Sequence, residues 1–353
     1  MRGSQVRDCM QYDTIYIGGG TPSVLPVCLV GHIADACSSV LGYSLSSVSE
    51  FTMEVNPDDI VKGGHRYVES LVRLGVNRVS MGVQSMDDSV LGWMNRRHNA
   101  ENARSAFRIL REAGVENISI DLIFGFTHPD FSVGKWRDTV EKALDISGDG
   151  RLPEHISAYQ LSVEEGSLLY EKVCSGKYME PEGEVCTIEY SLLCEMLRSA
   201  GYRHYEISNF ALPGYEARHN SAYWRHIPYV GTGPSAHSFL RVANASGPDS
   251  GWMRRWNISD VDAYIDGVMS GDIDSIYGYE SLTKAQFREE EIMLGLRTDS
   301  GVDKELLISD PLSRKAVDKF LRTGALVPAG NMGYLRIPED RFFVSDDIIS
   351  ELI

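Results

Sequence analysis

Two groups of residues in this chain have types and spacing suited to chemistry. The first opens at Gly18-Gly19-Gly20-Thr21, where a short apolar run through Ile15 and Ile17 enters three consecutive glycines. Glycines at the carboxyl end of a strand let a small ligand lie against bare backbone N–H and C=O groups. No lysine follows in P-loop spacing, so the phosphate-cradling motif is absent. Later apolar runs end on Glu54 with Asn56, on Gln84, on Asp121 and on Tyr159-Gln160, and each of these polar ends could face the same ligand. Arg96, in Trp93-Met94-Asn95-Arg96-Arg97, could add a cation to that mouth. Taken singly, each has a plainer reading: a strand-terminal Asp or Gln caps the next helix, and an arginine at a helix end is solvated.

The second group is a crowd of histidines and aromatics that follows Gly201: Tyr202, His204, Tyr205, Phe210, Tyr215, His219, Tyr223, Trp224, His226 and Tyr229. Its centre is His219-Asn220-Ser221-Ala222-Tyr223-Trp224. Histidine among large aromatics has three readings: a packed core residue, a catalytic base, or an axial ligand under a flat aromatic cofactor. Haem iron commonly takes such a histidine. A second glycine-bearing loop, Val230-Gly231-Thr232-Gly233-Pro234-Ser235-Ala236-His237, is placed to close over the same opening.

The elements that must position these residues alternate. The stretches 14–17, 51–55, 76–83, 118–124, 155–161 and 203–207 read as strands, with room between them for crossover helices. Ala103, Ala106, Phe107 and Leu110 recur at helical spacing over 102–112, with Asn99 as the cap and Gly114 as the stop. Alternating strand and helix predicts an α/β chain with a parallel sheet, and this many units predicts a barrel, whose function gathers at the carboxyl ends of the strands. Farther on, 244–251 is turn-rich, 258–269 reads as a helix capped by Ser259, and 282–296 as a helix capped by Thr283 with Glu289-Glu290-Glu291 on a solvated face. The pieces 302–307, 316–323 and 326–337 resemble a winged helix, and 346–352 reads as a last helix.

Composition bounds the rest. The 353 residues suffice for one large core and a smaller module. Lys plus Arg number 34 against 50 Asp plus Glu, a net charge of −16 that repels polyanions, so no nucleic-acid partner is expected and the winged-helix part reads as a lid or docking domain. No apolar run has the length of a membrane span, and the first residues lack the pattern of a secretory signal, so a cytoplasmic location is expected. The six cysteines are scattered, with no Cys-x-x-Cys, and read as reduced thiols.

Seven strings in order carry a resemblance: Tyr-Ile-Gly-Gly-Gly-Thr-Pro-Ser from Tyr16, Glu-Val-Asn-Pro from Glu54, Arg-Val-Ser-Met-Gly-Val-Gln-Ser from Arg78, Asn-Arg-Arg-His from Asn95, Ile-Asp-Leu-Ile-Phe-Gly from Ile120, Glu-Ile-Ser-Asn-Phe-Ala from Glu206, and His-Asn-x-x-Tyr-Trp from His219. Together they are similar to the HemW-type haem chaperones, radical S-adenosylmethionine proteins related to oxygen-independent coproporphyrinogen III oxidase. The resemblance implies a partial parallel (β/α) barrel over 1–240, a connecting segment over 241–280 and a small winged-helix-like domain over 281–353. It implies that Gly19, Gly20 and Thr21 hold the methionine end of S-adenosylmethionine, that Glu54, Gln84, Arg96 and Asp121 contact the same cofactor, and that His219 sits at or near haem, flanked by Tyr223 and Trp224. His219 would then be a candidate ligand of the haem iron. The partners implied are haem or another tetrapyrrole and the haem proteins that receive it. The alternatives are an enzyme that decarboxylates coproporphyrinogen III, or an inactive remnant of either. The family's Cys-x-x-x-Cys-x-x-Cys, which holds a 4Fe-4S cluster, is missing from the sequence, where only Cys9 precedes the glycine turn. The chain therefore reads as a member lacking its first strand and cluster loop, with weakened S-adenosylmethionine binding and no support for radical chemistry.

Overall fold

The computed structural model describes residues 12–242 and 248–353. It divides into two compact units, one of Asp13–Arg218 and one that includes His219–Ile353. Cys9 and the first half of the turn-rich stretch at 244–251 lie outside the described residues.

The first unit alternates as the sequence expects: β1 (Thr14–Ile17), α1 (Val27–Leu41), β2 (Glu50–Val55), α2 (Pro57–Arg73), β3 (Arg78–Gln84), α3 (Asp88–Trp93), α4 (Ala100–Glu112), β4 (Asn117–Phe124), α5 (Val133–Leu144), β5 (His155–Gln160), α6 (Leu168–Cys174), α7 (Gly183–Ser199), β6 (Arg203–Glu206) and β7 (Asn209–Ala211). Among the described residues these strands form one seven-stranded sheet in the order β1-β2-β3-β4-β5-β7-β6, curled into a half-barrel. Strands β1 to β5 are parallel. The expected sixth parallel strand departs from this: β6 forms an antiparallel hairpin with β7, and β7 lies antiparallel against β5. Two residues, Ile207 and Ser208, separate β6 from β7, and so short a link permits only antiparallel pairing.

Each strand shows two faces of opposite character. Phe51, Met53 and Val55, then Val79, Met81 and Val83, then Ile118, Ile120 and Leu122 are all buried. The helices supply Ile60, Val68, Leu71, Phe107, Leu110 and Trp136 to that core. The alternate positions are polar: Glu50, Thr52 and Glu54; Arg78 and Ser80; Ser119 and Asp121; His155, Ser157 and Tyr159. Register places Glu54 beside Ser80, Ser80 beside Ser119 and Asp121 beside Ser157, so these polar side chains share one face. One helix boundary illustrates the local logic. Asn99 and Asn102 each bond the other's backbone N–H, a reciprocal cap that fixes where α4 starts.

The second unit runs α8 (Arg218–Trp224), β8 (His237–Arg241), β9 (Asp249–Asn257), α9 (Val261–Ser270), β10 (Tyr277–Thr283), α10 (Lys284–Leu296), β11 (Val302–Asp303), α11 (Lys304–Leu307), α12 (Pro311–Thr323), β12 (Val327–Pro328), β13 (Tyr334–Arg336) and α13 (Ser345–Ser350). Strands β8, β9 and β10 form an antiparallel sheet in the order β10-β9-β8, and β11, β13 and β12 form another. The stretch 241–280, expected as a connecting segment with one helix, thus also carries β9 and most of β10. Asp260, rather than Ser259, caps α9 through its side chain on the Ala263 N–H. Thr283 caps α10 as expected, paired reciprocally with Gln286, whereas Leu282 still belongs to β10.

Candidate functional site

The glycine turn leaves β1 beside β2. Gly18 has no room for a side chain, because a Cβ there would meet the Tyr16 ring and lie 2.9 Å from Glu54 Oε1. Gly19 and Gly20 both hold positive φ, +80° and +50°, a backbone that L side chains rarely adopt. Glu54 ties the turn to the sheet: it accepts the Tyr16 hydroxyl at 2.5 Å and the Gly19 N–H at 3.0 Å. Asn56 reaches Thr21 Oγ1 at 3.5 Å with its side chain, and its own N–H donates to Ser23 Oγ at 3.0 Å. Gly19, Thr21 and Glu54 therefore form one cluster, as the sequence expects. Gln84 closes β3 at φ +66°, and its side chain folds back over Gly82.

Asp121 does not cap a helix. Its carboxylate accepts the Ser80 hydroxyl at 3.2 Å and also bonds Ser157. Protein surrounds it, and burial pushes its pKa up to about 6, against the Ser157 bond, the Arg78 charge and the Ser80 bond, with Glu54 raising it further. Arg96 comes close enough to feel the Asp121 charge, although burial is the larger influence and lowers its pKa. Arg78 is 2% exposed, and its Nε has no hydrogen-bond partner among the described residues. Deeper in the sheet, His155 bridges Ser119 at 2.7 Å and the Tyr205 hydroxyl at 2.7 Å, and burial keeps it neutral. The polar face thus combines a glycine turn, two carboxylates and two guanidinium groups, a set matched to a small ligand carrying both signs of charge. Tyr16, Arg78, Ser80, His155 and Ser157 escaped the sequence reading. Their signal was the alternation of polar residues within strands read simply as apolar.

Among the described residues no group of three or more His, Cys, Asp or Glu side chains is arranged to hold a metal ion. Cys28, Cys37, Cys174 and Cys186 are free thiols dispersed over different elements. The described residues therefore do not fit an iron–sulfur cluster.

The histidines of this stretch have different surroundings. His204 is core, stacked on Phe210 with ring centroids 4.1 Å apart. In the second unit, α8 carries His219 and Tyr223 one turn apart, with Nε2 and the hydroxyl at 2.8 Å and the rings edge to face. The Tyr223 ring meets Tyr229 in turn, with centroids 4.7 Å apart. The Trp224 indole N–H is buried without a hydrogen-bond partner among the described residues. The loop over 230–237 is no free lid: Gly231 N–H donates to Ser238 at 3.0 Å, Gly233 N–H to the Tyr264 hydroxyl at 3.1 Å, and Asn257 to Gly233 O at 2.8 Å. Glu290, read as part of a solvated face, instead sits at 2.9 Å from Arg254 and 3.6 Å from His226, with its side chain 18% exposed.

Residues 5–138 match the model of the Radical SAM superfamily. Among curated proteins, the chain is 35% identical to the heme chaperone HemW of Bacillus subtilis, over 83% of this chain and 71% of that protein. It is 34% identical to the heme chaperone HemW of Lactococcus lactis, over 82% and 70% of the two chains. Among solved structures, coproporphyrinogen III oxidase (HemN) of Escherichia coli, a radical SAM enzyme, superposes with a TM-score of 0.73 at 18% identity, covering 96% of this chain and 77% of that one, which is a likeness of fold. With identity at this level along most of both sequences, the chain belongs to the HemW family of radical SAM proteins.

Proposed function

We propose that the protein is a haem chaperone: it binds haem at His219 and passes it to haem proteins in the cytoplasm. The observation that carries this reading is the identity of 35% and 34% to two proteins named heme chaperone, extending through the His219-Asn-x-x-Tyr223-Trp224 stretch. The geometry supports it. His219 lies on a short helix beside further aromatic rings, and histidine is a common ligand of haem iron. Tyr223 and Trp224 then flank the macrocycle. No helix among the described residues is long and apolar enough to cross a membrane.

S-adenosylmethionine is the cofactor proposed for the polar face of the half-barrel. It carries a sulfonium and an ammonium as cations and one carboxylate. Gly19, Gly20 and Thr21 offer backbone contacts, Glu54 and Asp121 suit the cations, and Arg96 with the unsatisfied Nε of Arg78 suits the carboxylate. Gln84 completes the rim. The chemistry such a cofactor supplies when reductively cleaved is a carbon-centred radical. This chain's own residues bind and orient it, and nothing in the chaperone reading requires its cleavage.

The test is a haem titration followed by the Soret band, with His219→Ala beside the wild type. Saturable binding that weakens by roughly tenfold or more in the variant is expected for a lost iron ligand. A folded chain that gives no saturable Soret shift would overturn the chaperone reading.

A further inference from the structure

Beside α8 the second unit holds a cavity of about 270 Å³, too small for a whole macrocycle and sized for one edge of it. Tyr223, Ile227, Tyr229, Phe239 and Leu294 line it, with His226 and Arg254 in the wall. His219 does not line the cavity, but Tyr223, which does, is its hydrogen-bond partner, so the cavity lies one residue away from the proposed iron ligand.

Two features of the wall bear on what it admits. Arg254 spends its charge within the wall, on Glu290 at 2.9 Å and Glu280 at 3.3 Å. The two carboxylates compensate that guanidinium without lining the cavity themselves, and burial holds His226 below its ordinary pKa. The second feature is His226 itself. The Ile227 N–H bonds Ala222 O at 3.0 Å and the His226 N–H bonds Tyr223 O at 3.2 Å, ending α8 in the motif whose left-handed position glycine ordinarily fills. His226 occupies that position at φ +51°. The strain is borne while its ring lies between Phe239 and Phe287, with centroids 5.4 and 4.6 Å away, completing an aromatic wall.

A cavity with apolar and aromatic lining, whose arginine is already paired with two carboxylates, disfavours further carboxylates and accepts hydrocarbon. We propose that it receives the carboxylate-free edge of the tetrapyrrole, the side that bears two vinyl groups in protohaem, and so selects protohaem over tetrapyrroles with carboxylates on every side. This rests on the haem reading above and adds to it the determinant of selectivity.

Protohaem and coprohaem test it, because they share iron and macrocycle and differ only where two vinyl groups are replaced by propionates. Equilibrium Soret titrations of the wild type should favour protohaem by at least roughly tenfold. Leu294→Trp, which fills the cavity, should weaken protohaem binding by a comparable factor and narrow the preference. Ile227→Trp repeats the test at a position 46% exposed, where folding is little at risk. Glu290→Gln should raise coprohaem affinity relative to protohaem. Equal affinity of the wild type for the two, or protohaem binding indifferent to both tryptophan variants, overturns the cavity proposal and leaves the haem reading standing. A wild type that binds neither overturns the haem reading, and the selectivity with it.

Discussion

Asp121 offers a test of the half-barrel's electrostatics that needs no ligand. Its carboxyl is raised from 3.8 to about 6, chiefly by burial, with Ser157, Arg78 and Ser80 opposing and Glu54 adding to the rise. A folded-state pKa above the unfolded value means that the folded chain holds a proton the unfolded chain has lost. Stability therefore falls as pH rises between roughly 4 and 6 and stays low above that window. At pH 7 the ionised carboxylate costs about 3 kcal/mol of folding free energy. Asp121→Asn mimics the protonated acid and keeps an acceptor for Ser80. It is expected to exceed the wild type in stability by about that amount at pH 7, with the difference closing towards zero near pH 4. The measurement is urea unfolding of both proteins from pH 4 to 8, with hydrogen exchange at β4 amides assigning the transition to the first unit. An Asn variant no more stable than the wild type at pH 7, or a difference that ignores pH, would refute the reasoning. A cationic ligand placed against Asp121 relieves the same cost. If the proposed S-adenosylmethionine site is right, the cofactor should consequently stabilise the wild type more than the variant.

Other expectations follow from the same geometry. Gly18→Ala should drive a methyl into the Tyr16 ring and Glu54, costing about 1–3 kcal/mol and lowering S-adenosylmethionine affinity, as read by thermal denaturation with and without the cofactor. Arg111 holds Glu154 at 2.6 Å while also donating to Glu116 O at 2.7 Å, with the two side chains only 8% and 12% exposed. Arg111→Ala strands the buried carboxylate and should cost about 3–5 kcal/mol, with a smaller loss when Glu154 is replaced as well; equal losses in the single and double variants would argue against a stranded charge.

What the sequence alone determined is what short-range forces control. The bounds of β1 at Thr14–Ile17, the Asn99 cap of α4 and the Thr283 cap of α10 depend on neighbours within a few positions, and all are readable there. The glycine turn, Glu54 and Asp121 were legible too, since a parallel α/β sheet brings strand ends to one side whatever the packing details. Three things waited on tertiary structure. The Tyr16–Glu54 bond joins residues 38 apart, through a register that periodicity does not encode. The β6–β7 hairpin inserts beside β5 because Ile207-Ser208 is too short to cross over, although the helical stretch before it suggested another parallel unit. Glu290 sits in a run of three glutamates whose local pattern says solvent. Only the fold brings Arg254 and His226 to it, because a half-buried charge is acceptable where distant segments supply its partners, and no local sequence can show that they do.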